Sequence, residues 1–402
     1  MRRRFLPASF RPLCFSLLLA LLLAALPAAS QRPSPAAPVR IKTAAELQAG
    51  IARVDQLFAA EYAKDKLASV TVGVVSGPSL VWTKSYGLAN MEKKIPADKD
   101  STYRIGSITK QFTAVMLLQL VGAGKVRLSD PVEKYYPEIR NIPNAYPSAP
   151  PVTLLQLATH TSGLAREPGD KQTPTETFLT GQVADWEKTL LAALPHTHYA
   201  YEPGTRYSYS NIGYAILGAA LGRAAGEPYT RYVDEHILAP LGMTHTAFEQ
   251  NPAILQSLTQ GYDIRNGVAD PGPTSTDLRT GRGYKVPNGA LFTTVGDLAR
   301  FLSFEMGNGP ETVLKRSSLN ELHARVYSAN GDLSFGYGMG FMLLRQGDVL
   351  ALGHSGSVAG FLAGCYYNPP SHTGVIFLRN AGGGSGFRGE RVVLDALAAL
   401  NQ

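Results

Sequence analysis

A serine and a lysine three residues apart form the first pattern in this sequence that could carry chemistry. Ser107 and Lys110 lie in the stretch Arg104-Ile-Gly-Ser-Ile-Thr-Lys110, directly before a long apolar segment. Lys110 is the only charged residue between positions 105 and 124, and a helix that is apolar on nearly all sides is predicted to be buried. The spacing places both side chains on the same side of that helix. Because an unpaired buried ammonium is very costly, an amine beside a hydroxyl here indicates an activated serine nucleophile.

A second candidate group is Tyr209-Ser-Asn211. A tyrosine can accept the nucleophile's proton if a nearby ammonium stabilises its phenolate, and an asparagine can hydrogen-bond both a lysine and a substrate amide. By itself the pattern is weak, and a loop tyrosine followed by a capping asparagine is the alternative. The same pattern recurs at Tyr366-Tyr-Asn368, where the double proline that follows indicates a strand end and a turn.

A third candidate group is His354-Ser-Gly356, followed by Ser357. A glycine at this place in a strand lets a substrate backbone approach closely. The backbone N–H of Ser357, together with that of Ser107, could then stabilise a developing oxyanion, and each such donor is worth roughly 10²–10³ in rate. A surface histidine is the alternative, and the similar His372-Thr-Gly374 is interpreted as a turn that re-enters a strand.

The elements that must position these residues indicate an α+β fold. Apolar residues at helical spacing predict a first helix over residues 44–66, and β-branched runs around Ser76-Gly-Pro78 predict a hairpin over 69–86. Residues 129–284 carry helical patterns at 153–159, 211–225 and 229–238, many prolines and few strand runs. Four further strands are predicted at 341–345, 349–352, 361–367 and 374–379, before a closing helix at 388–400. The simplest assembly is an antiparallel sheet built from both ends of the chain, flanked by helices, with a mainly helical insertion.

The ordered set Ser-x-x-Lys, Tyr-x-Asn and a basic residue before Ser-Gly resembles the serine β-lactamase and penicillin-binding-protein superfamily. More closely, it is similar to the branch that contains class C β-lactamases, D-alanyl-D-alanine carboxypeptidases, D-aminopeptidases and esterases. The resemblance extends over residues 45–400, with family-like stretches at 104–114, 128–132, 152–164, 211–218, 240–246 and 288–301. Within these, His160-Thr-Ser-Gly163 resembles a structural turn of the family, so Ser162 is not expected to be a nucleophile.

The resemblance implies a role for each site residue. Ser107 would attack an acyl carbon and become an acyl-enzyme, Lys110 would lower the proton affinity of its neighbours, and Tyr209 would relay the proton to the leaving group. Asn211 would position Lys110 and the substrate. The third group would contribute substrate-binding residues: His354 on the strand edge, Gly356, and Ser357 as an oxyanion donor.

One departure from the family's pattern concerns the substrate. The lactamases and peptidases of the superfamily usually have a lysine at the third motif, where a permanent cation meets a substrate carboxylate. His354 is largely neutral near pH 7, which disfavours β-lactams and C-terminal D-alanyl peptides. We therefore expect a serine hydrolase of esterase or D-amino-acid peptidase type, acting on a small-molecule or peptide acyl substrate. A class C-type β-lactamase or D,D-carboxypeptidase is the alternative, and a non-catalytic cell-wall-binding or scaffold protein is the alternative of another class.

The beginning of the chain has the features of a secretory signal peptide. Residues 2–11 hold four arginines, residues 13–26 form a short apolar run, and small residues follow at 28–30. We predict a signal peptide over 1–30, a Pro-rich tether over 31–43 and a secreted or periplasmic protein without a membrane span after cleavage; a retained anchor is the alternative. Loss of the signal's four arginines lowers the formal charge from +7 to +3, and no basic cluster with interleaved aromatics indicates nucleic acid.

Residues 44–402 are predicted to form the β-lactamase-like domain, with a sheet subdomain at 44–128 and 285–402 and a helical subdomain at 129–284. Only Cys365 remains after the signal, so no internal disulfide is possible. No metal is expected, because the loop histidines His196 and His198 lack further ligands at matching spacing. No cofactor is expected either, because Gly382-Gly-Gly384 lacks the lysine of a nucleotide site.

Overall fold

The computed structural model describes residues 39–271, 282–383 and 386–402. The predicted signal segment and most of the tether lie outside these residues. The described strands are β1 (Ser69–Ser76), β2 (Ser79–Asn90), β3 (Ile95–Pro96), β4 (Tyr103–Arg104), β5 (Tyr262–Arg265), β6 (Val268–Asp270), β7 (Phe292–Thr293), β8 (Ser328–Ala329), β9 (Phe335–Tyr337), β10 (Met342–Gln346), β11 (Val349–Val358), β12 (Phe361–Asn368), β13 (Thr373–Arg379) and β14 (Ala381–Gly383).

Nine of these strands form one antiparallel sheet in the order β3-β2-β1-β13-β12-β11-β10-β9-β8. The two ends of the chain meet in its middle, where Gly73 of β1 lies opposite Ile376 of β13. Both strands are buried along their whole length, which is why their sequences are nearly continuous apolar runs. The predicted α+β fold, with an antiparallel sheet built from both termini, is confirmed.

Helices cover the sheet and fill the middle of the chain. They are α1 (Gln48–Ala63), α2 (Thr109–Gly122), α3 (Leu154–Ala158), α4 (Trp186–Ala193), α5 (Asn211–Ala225), α6 (Tyr229–Val233), α7 (Pro252–Ser257), α8 (Val286–Gly289), α9 (Val295–Ser303), α10 (Arg316–Ala324) and α11 (Gly389–Asn401). One hydrophobic core lies where α1 and α11 pack on β1, β12 and β13. A larger core contains α2, α5 and α9 together with side chains from the same sheet, so the sheet lies between two apolar layers.

Most of the predicted elements are present with shifted ends. The first helix begins at Gln48, the hairpin strands extend to Ser76 and Asn90, and the closing helix begins at Gly389. The strand predicted at 349–352 continues to Val358 and therefore carries His354, Gly356 and Ser357. The copies at Asn368 and His372 lie at the end of β12 and in the following turn, where the Asn368 side chain accepts from the N–H of Ser371 at 3.1 Å.

Several short elements escape the sequence patterns. The strands β8 and β9 are two and three residues long, which is too short to show a period of two. Within the stretch that was predicted to be mainly helical, β5 pairs in parallel with β14 from near the chain's end. Cys365 is buried and free. In the part of the chain that the structure describes, no helix has the length and apolar character needed to cross a membrane.

Candidate active site

Ser107 lies on a tight turn, Gly106–Ile108, that leads directly into α2. The turn packs against β11 so closely that an added Cβ at Gly356 would lie 1.9 Å from the carbonyl oxygen of Ile105. Gly106 has a φ of +51°, which favours glycine, and its own added Cβ would lie 3.0 Å from the Ser357 nitrogen. The close approach at Gly356 is thus made by the chain's own turn, where the sequence had suggested a substrate backbone.

This packing brings backbone nitrogens of the turn and of β11 to the contact between them. The Ser107 nitrogen lies 3.1 Å from the position that a Cβ of Gly356 would occupy, and Ser357 follows on the strand with an exposed side chain. The backbone nitrogens of Ser107 and Ser357 therefore both lie at the contact between the turn and β11, and the Ser107 side chain is partly exposed there. The arrangement suits two fixed donors for a developing negative charge.

Lys110 is fully buried one turn further along, with its Nζ 3.1 Å from Ser107 Oγ. The amine also lies 2.8 Å from Asn211 Oδ1 and 3.0 Å from the carbonyl oxygen of Asn288. These two oxygens can only accept hydrogen bonds. The third contact is recorded with the amine donating to Ser107 Oγ, but a hydroxyl can also donate. The geometry therefore fits either an ammonium that donates three times or a neutral amine that donates twice and accepts from Ser107.

The electrostatic surroundings favour that neutral form. Burial, followed by the positive charge of Lys285, holds the pKa of Lys110 well below its ordinary value, and Glu167 opposes this. Arg166 and Arg282 add to the lowering. Desolvation and like charges both penalise the ammonium, so the protonated state is destabilised from two sides.

The aromatic ring of Tyr209 packs against this amine and against two other basic side chains. Its ring centroid lies 4.9 Å from Lys110 Nζ and 4.8 Å from the guanidinium carbon of Arg166, and the His160 ring packs 4.1 Å away. Burial raises the pKa of Tyr209, while a hydrogen bond with Ser107 lowers it in part. The phenol is therefore protonated at neutral pH and linked to the serine hydroxyl.

His354 is fully buried on β11. Its Nδ1 contacts the carbonyl oxygen of Ser355 and so carries the proton, which leaves Nε2 to accept from the Tyr337 hydroxyl at 3.2 Å. Burial, aided by the charge of Lys110, lowers the pKa of His354 to about 3. The imidazole is neutral at pH 7, so the third motif supplies no cation there.

Other residues of the site were missed by the sequence patterns. Glu167 accepts from Asn211 Nδ2 at 2.6 Å and pairs with Lys285 Nζ at 3.0 Å, and Asn288 donates to the Asn211 carbonyl at 2.9 Å. Glu167 lies three residues beyond the family-like stretch that ends at Leu164, and its loop carries no periodicity. Nothing in the local sequence links Glu167 to Lys285, since the two are far apart in the chain.

Comparison with known proteins gives consistent results. The family model described as Beta-lactamase matches residues 54–400. "Beta-lactamase-like protein 2" of Dictyostelium discoideum is 30% identical over 341 residues, which cover 82% of this chain and 59% of that protein. The octameric penicillin-binding protein homologue from Pyrococcus abyssi superposes with a TM-score of 0.72 at 26% identity, covering 87% of this chain and 77% of that one. A class C β-lactamase shares the fold, with a TM-score of 0.69 at 20% identity and coverage of 87% and 96%.

The chain belongs to the Beta-lactamase family of β-lactamase-fold hydrolases. The superfamily that the three sequence motifs indicated is therefore confirmed. The chain spans about six-tenths of the length of the curated relatives it matches.

The close contact at Gly356 leads to a prediction about the stability of the folded protein. Gly356→Ala is expected to lower the free energy of unfolding by about 1–3 kcal/mol, because the methyl group meets the Ile105 carbonyl and the strand must move from the turn. Gly122→Ala, at the exposed end of α2, is the control, because an added Cβ there has no heavy atom within 4 Å. Urea unfolding of both variants measures the difference, and equal stabilities would contradict the packing described.

The buried neutral state of His354 makes a prediction about pH. Its pKa is about 3 in the folded protein and about 6.5 when unfolded, so the unfolded state binds more protons between these values. This group's contribution to stability is present above pH 6.5 and is lost as the pH falls, by about 1.4 kcal/mol per unit. His354→Gln should therefore lose less stability than wild type between pH 7.5 and 5.5 in urea unfolding.

His198→Gln, which replaces an exposed loop histidine, is measured alongside as the control for a histidine-to-glutamine change. An identical slope in wild type and His354→Gln would refute the neutral, buried imidazole.

Proposed function

We propose that this protein is a serine hydrolase that cleaves an ester or amide through an acyl-enzyme on Ser107. The observation that carries the proposal is the 3.1 Å contact between Ser107 Oγ and a buried Lys110 amine whose two other contacts are carbonyl oxygens. A buried amine held in this way can remove a proton from the serine hydroxyl. The family membership supports the same reaction class.

The proton route follows from the two pKa directions. Lys110 in its neutral form takes the proton of Ser107 as Oγ bonds to the acyl carbon, and Tyr209 donates its proton when the bond to the leaving group breaks. The protonated Lys110 then restores the proton of Tyr209, 4.9 Å from its ring. This differs from the roles implied by the family resemblance, because burial raises the pKa of Tyr209 and lowers that of Lys110. In deacylation the same steps run in reverse with water in place of the leaving group. Tyr209 passes its proton to Lys110 and takes one from water as the water oxygen bonds to the acyl carbon, and Lys110 returns a proton to Ser107 Oγ as the acyl–Oγ bond breaks.

The backbone N–H groups of Ser107 and Ser357 are proposed to hold the oxyanion of each tetrahedral intermediate. Both are fixed by the packing of the turn against β11, so they need no rearrangement when charge develops. Their fixed position is the reason that Gly106 and Gly356 belong to the site although neither carries a side chain.

The proposal for the substrate class rests on the third motif. A neutral His354 offers no permanent charge to a substrate carboxylate at that place. We therefore propose that esters or amides without a carboxylate at that place, such as short-chain esters or D-amino-acid amides, are cleaved in preference to β-lactams.

The first test of the proposal is covalent. A fluorophosphonate probe should form one adduct on Ser107, located by mass spectrometry, and Ser107→Ala should lose the adduct and on the order of 10⁴-fold or more of the ester hydrolysis rate. Ser162→Ala is the control, because this buried serine lies in the same region and is not expected to react. No adduct, or full hydrolysis by Ser107→Ala, would rule the mechanism out and favour a non-catalytic binding protein.

The second test concerns substrate choice. Wild-type protein is assayed with p-nitrophenyl acetate and butyrate, D-amino-acid p-nitroanilides and nitrocefin, with Ser107→Ala as the background in every assay. We expect a higher kcat/KM for the short-chain esters than for nitrocefin, because no cation at His354 meets the carboxylate of the β-lactam. A reversed order would show that the neutral imidazole does not set the preference.

A further inference from the structure

Glu167 is the acceptor of three hydrogen-bond donors beside the candidate active site. Its carboxylate accepts from Asn211 Nδ2 at 2.6 Å, from Lys285 Nζ at 3.0 Å and from the Tyr284 hydroxyl. The side chains of Glu167 and Lys285 are only 22% and 13% exposed. Burial raises the pKa of Glu167, but Lys285 and the hydrogen bonds outweigh it and hold the pKa below its ordinary value. The pair is thus an ion pair largely shielded from water.

The Asn211 amide connects this ion pair to the amine. Its Oδ1 accepts from Lys110 at 2.8 Å, while its Nδ2 donates to Glu167. A flipped amide would place an N–H₂ group against the lysine's own N–H groups and a carbonyl oxygen against a carboxylate. Both contacts would be repulsive, so Glu167 holds the orientation in which Asn211 can serve Lys110.

Glu167 and Lys285 have opposite effects on the charge state of Lys110, because of their own opposite charges. The titratable and charged groups that face the amine, from every element packed around it, are His160, Arg166, Glu167, Tyr209, Tyr214, Arg282, Lys285 and His354. Burial keeps the pKa of His160 well below its ordinary value, and His354 is neutral as described, so neither imidazole adds charge at neutral pH. In this set Glu167 is the carboxylate, and it opposes the three cations Arg166, Arg282 and Lys285.

We propose that Glu167 and Lys285 are positioning residues which fix the Asn211 amide and set the pH above which Lys110 can activate Ser107. The inference rests on the proposed function for the role of Lys110, but its physical content, the charge state of the amine, can be measured independently. Glu167 favours the protonated amine, Lys285 disfavours it, and the ion pair balances the two effects.

The rate at which Ser107 reacts with a fluorophosphonate should fall at low pH, where Lys110 is protonated. The two single variants should move this acidic limb of the pH profile in opposite directions. Glu167→Gln removes the negative charge, so Lys110 loses its proton more readily and the limb moves to lower pH. Lys285→Met removes a positive charge and moves the limb to higher pH. Each shift is expected to be on the order of one pH unit. The measurement is the second-order rate constant of fluorophosphonate labelling from pH 4 to pH 10.

The double variant and a matched ion pair serve as controls. Glu167→Gln combined with Lys285→Met should return the limb close to the wild-type position, because the opposing charges are removed together. Asp185→Asn and Lys188→Met break an exposed ion pair of 2.7 Å elsewhere in the molecule and should leave the limb in place. Limbs that stay fixed while the plateau falls, or that move in the same direction, would overturn the proposal, because a merely structural role changes the plateau alone.

Failure of the proposed function is a separate outcome. If wild-type protein is not labelled at Ser107, the acyl-transfer mechanism is wrong. The charge balance is then tested by carbon-13 NMR titration of Lys110 in protein labelled at lysine Cε. Opposite shifts of its titration midpoint in the two single variants would support the inference, and unchanged midpoints would refute it. Circular dichroism of each variant confirms that it is folded before either measurement.

Discussion

The buried amine of Lys110 is the constraint on which the arrangement of the site depends. Its acceptors come from separate parts of the chain: Asn211 begins α5, and Asn288 lies in α8. A buried amine without such partners would be strongly destabilising, so both helices must dock on α2 for the chain to fold with Lys110 inside. The same contacts that satisfy the amine therefore determine where the helical region lies relative to the nucleophile.

The second constraint on the site is steric: two positions where the turn and a strand meet must be glycine. Gly106 and Gly356 allow the Ser107 turn and β11 to approach more closely than any pair of residues with a Cβ could. The sheet thus contributes the backbone of β11 and the His354 side chain to the site, whereas the side chains of Lys110 and Asn211 come from helices. The polar network around Lys110 and the backbone of β11 both contact the turn that carries Ser107.

Sequence patterns identify the site residues whose partners are close in the chain. They miss the residues whose role depends on a partner that is distant in the chain. Ser107 and Lys110 are detectable because their spacing fits one helical turn within an apolar segment, and the long strands follow from their apolar runs. Glu167 and Lys285 carry no such signal, since each lies outside a periodic pattern and its meaning depends on a partner far along the chain. His354 is intermediate: the pattern identifies its place, whereas its burial and its contact with Tyr337 follow only from the packed sheet.

The order of strands in the large sheet has a consequence for how the protein is made. β1 ends at Ser76, yet one of its two neighbours, β13, begins only at Thr373. During synthesis one edge of β1 therefore stays unpaired until β13 has been made, when almost the whole polypeptide has left the ribosome. Such long-range pairing slows folding and leaves an apolar strand edge exposed in the nascent chain. In a chain of this topology that strand edge remains a site for aggregation until the last strands have been made.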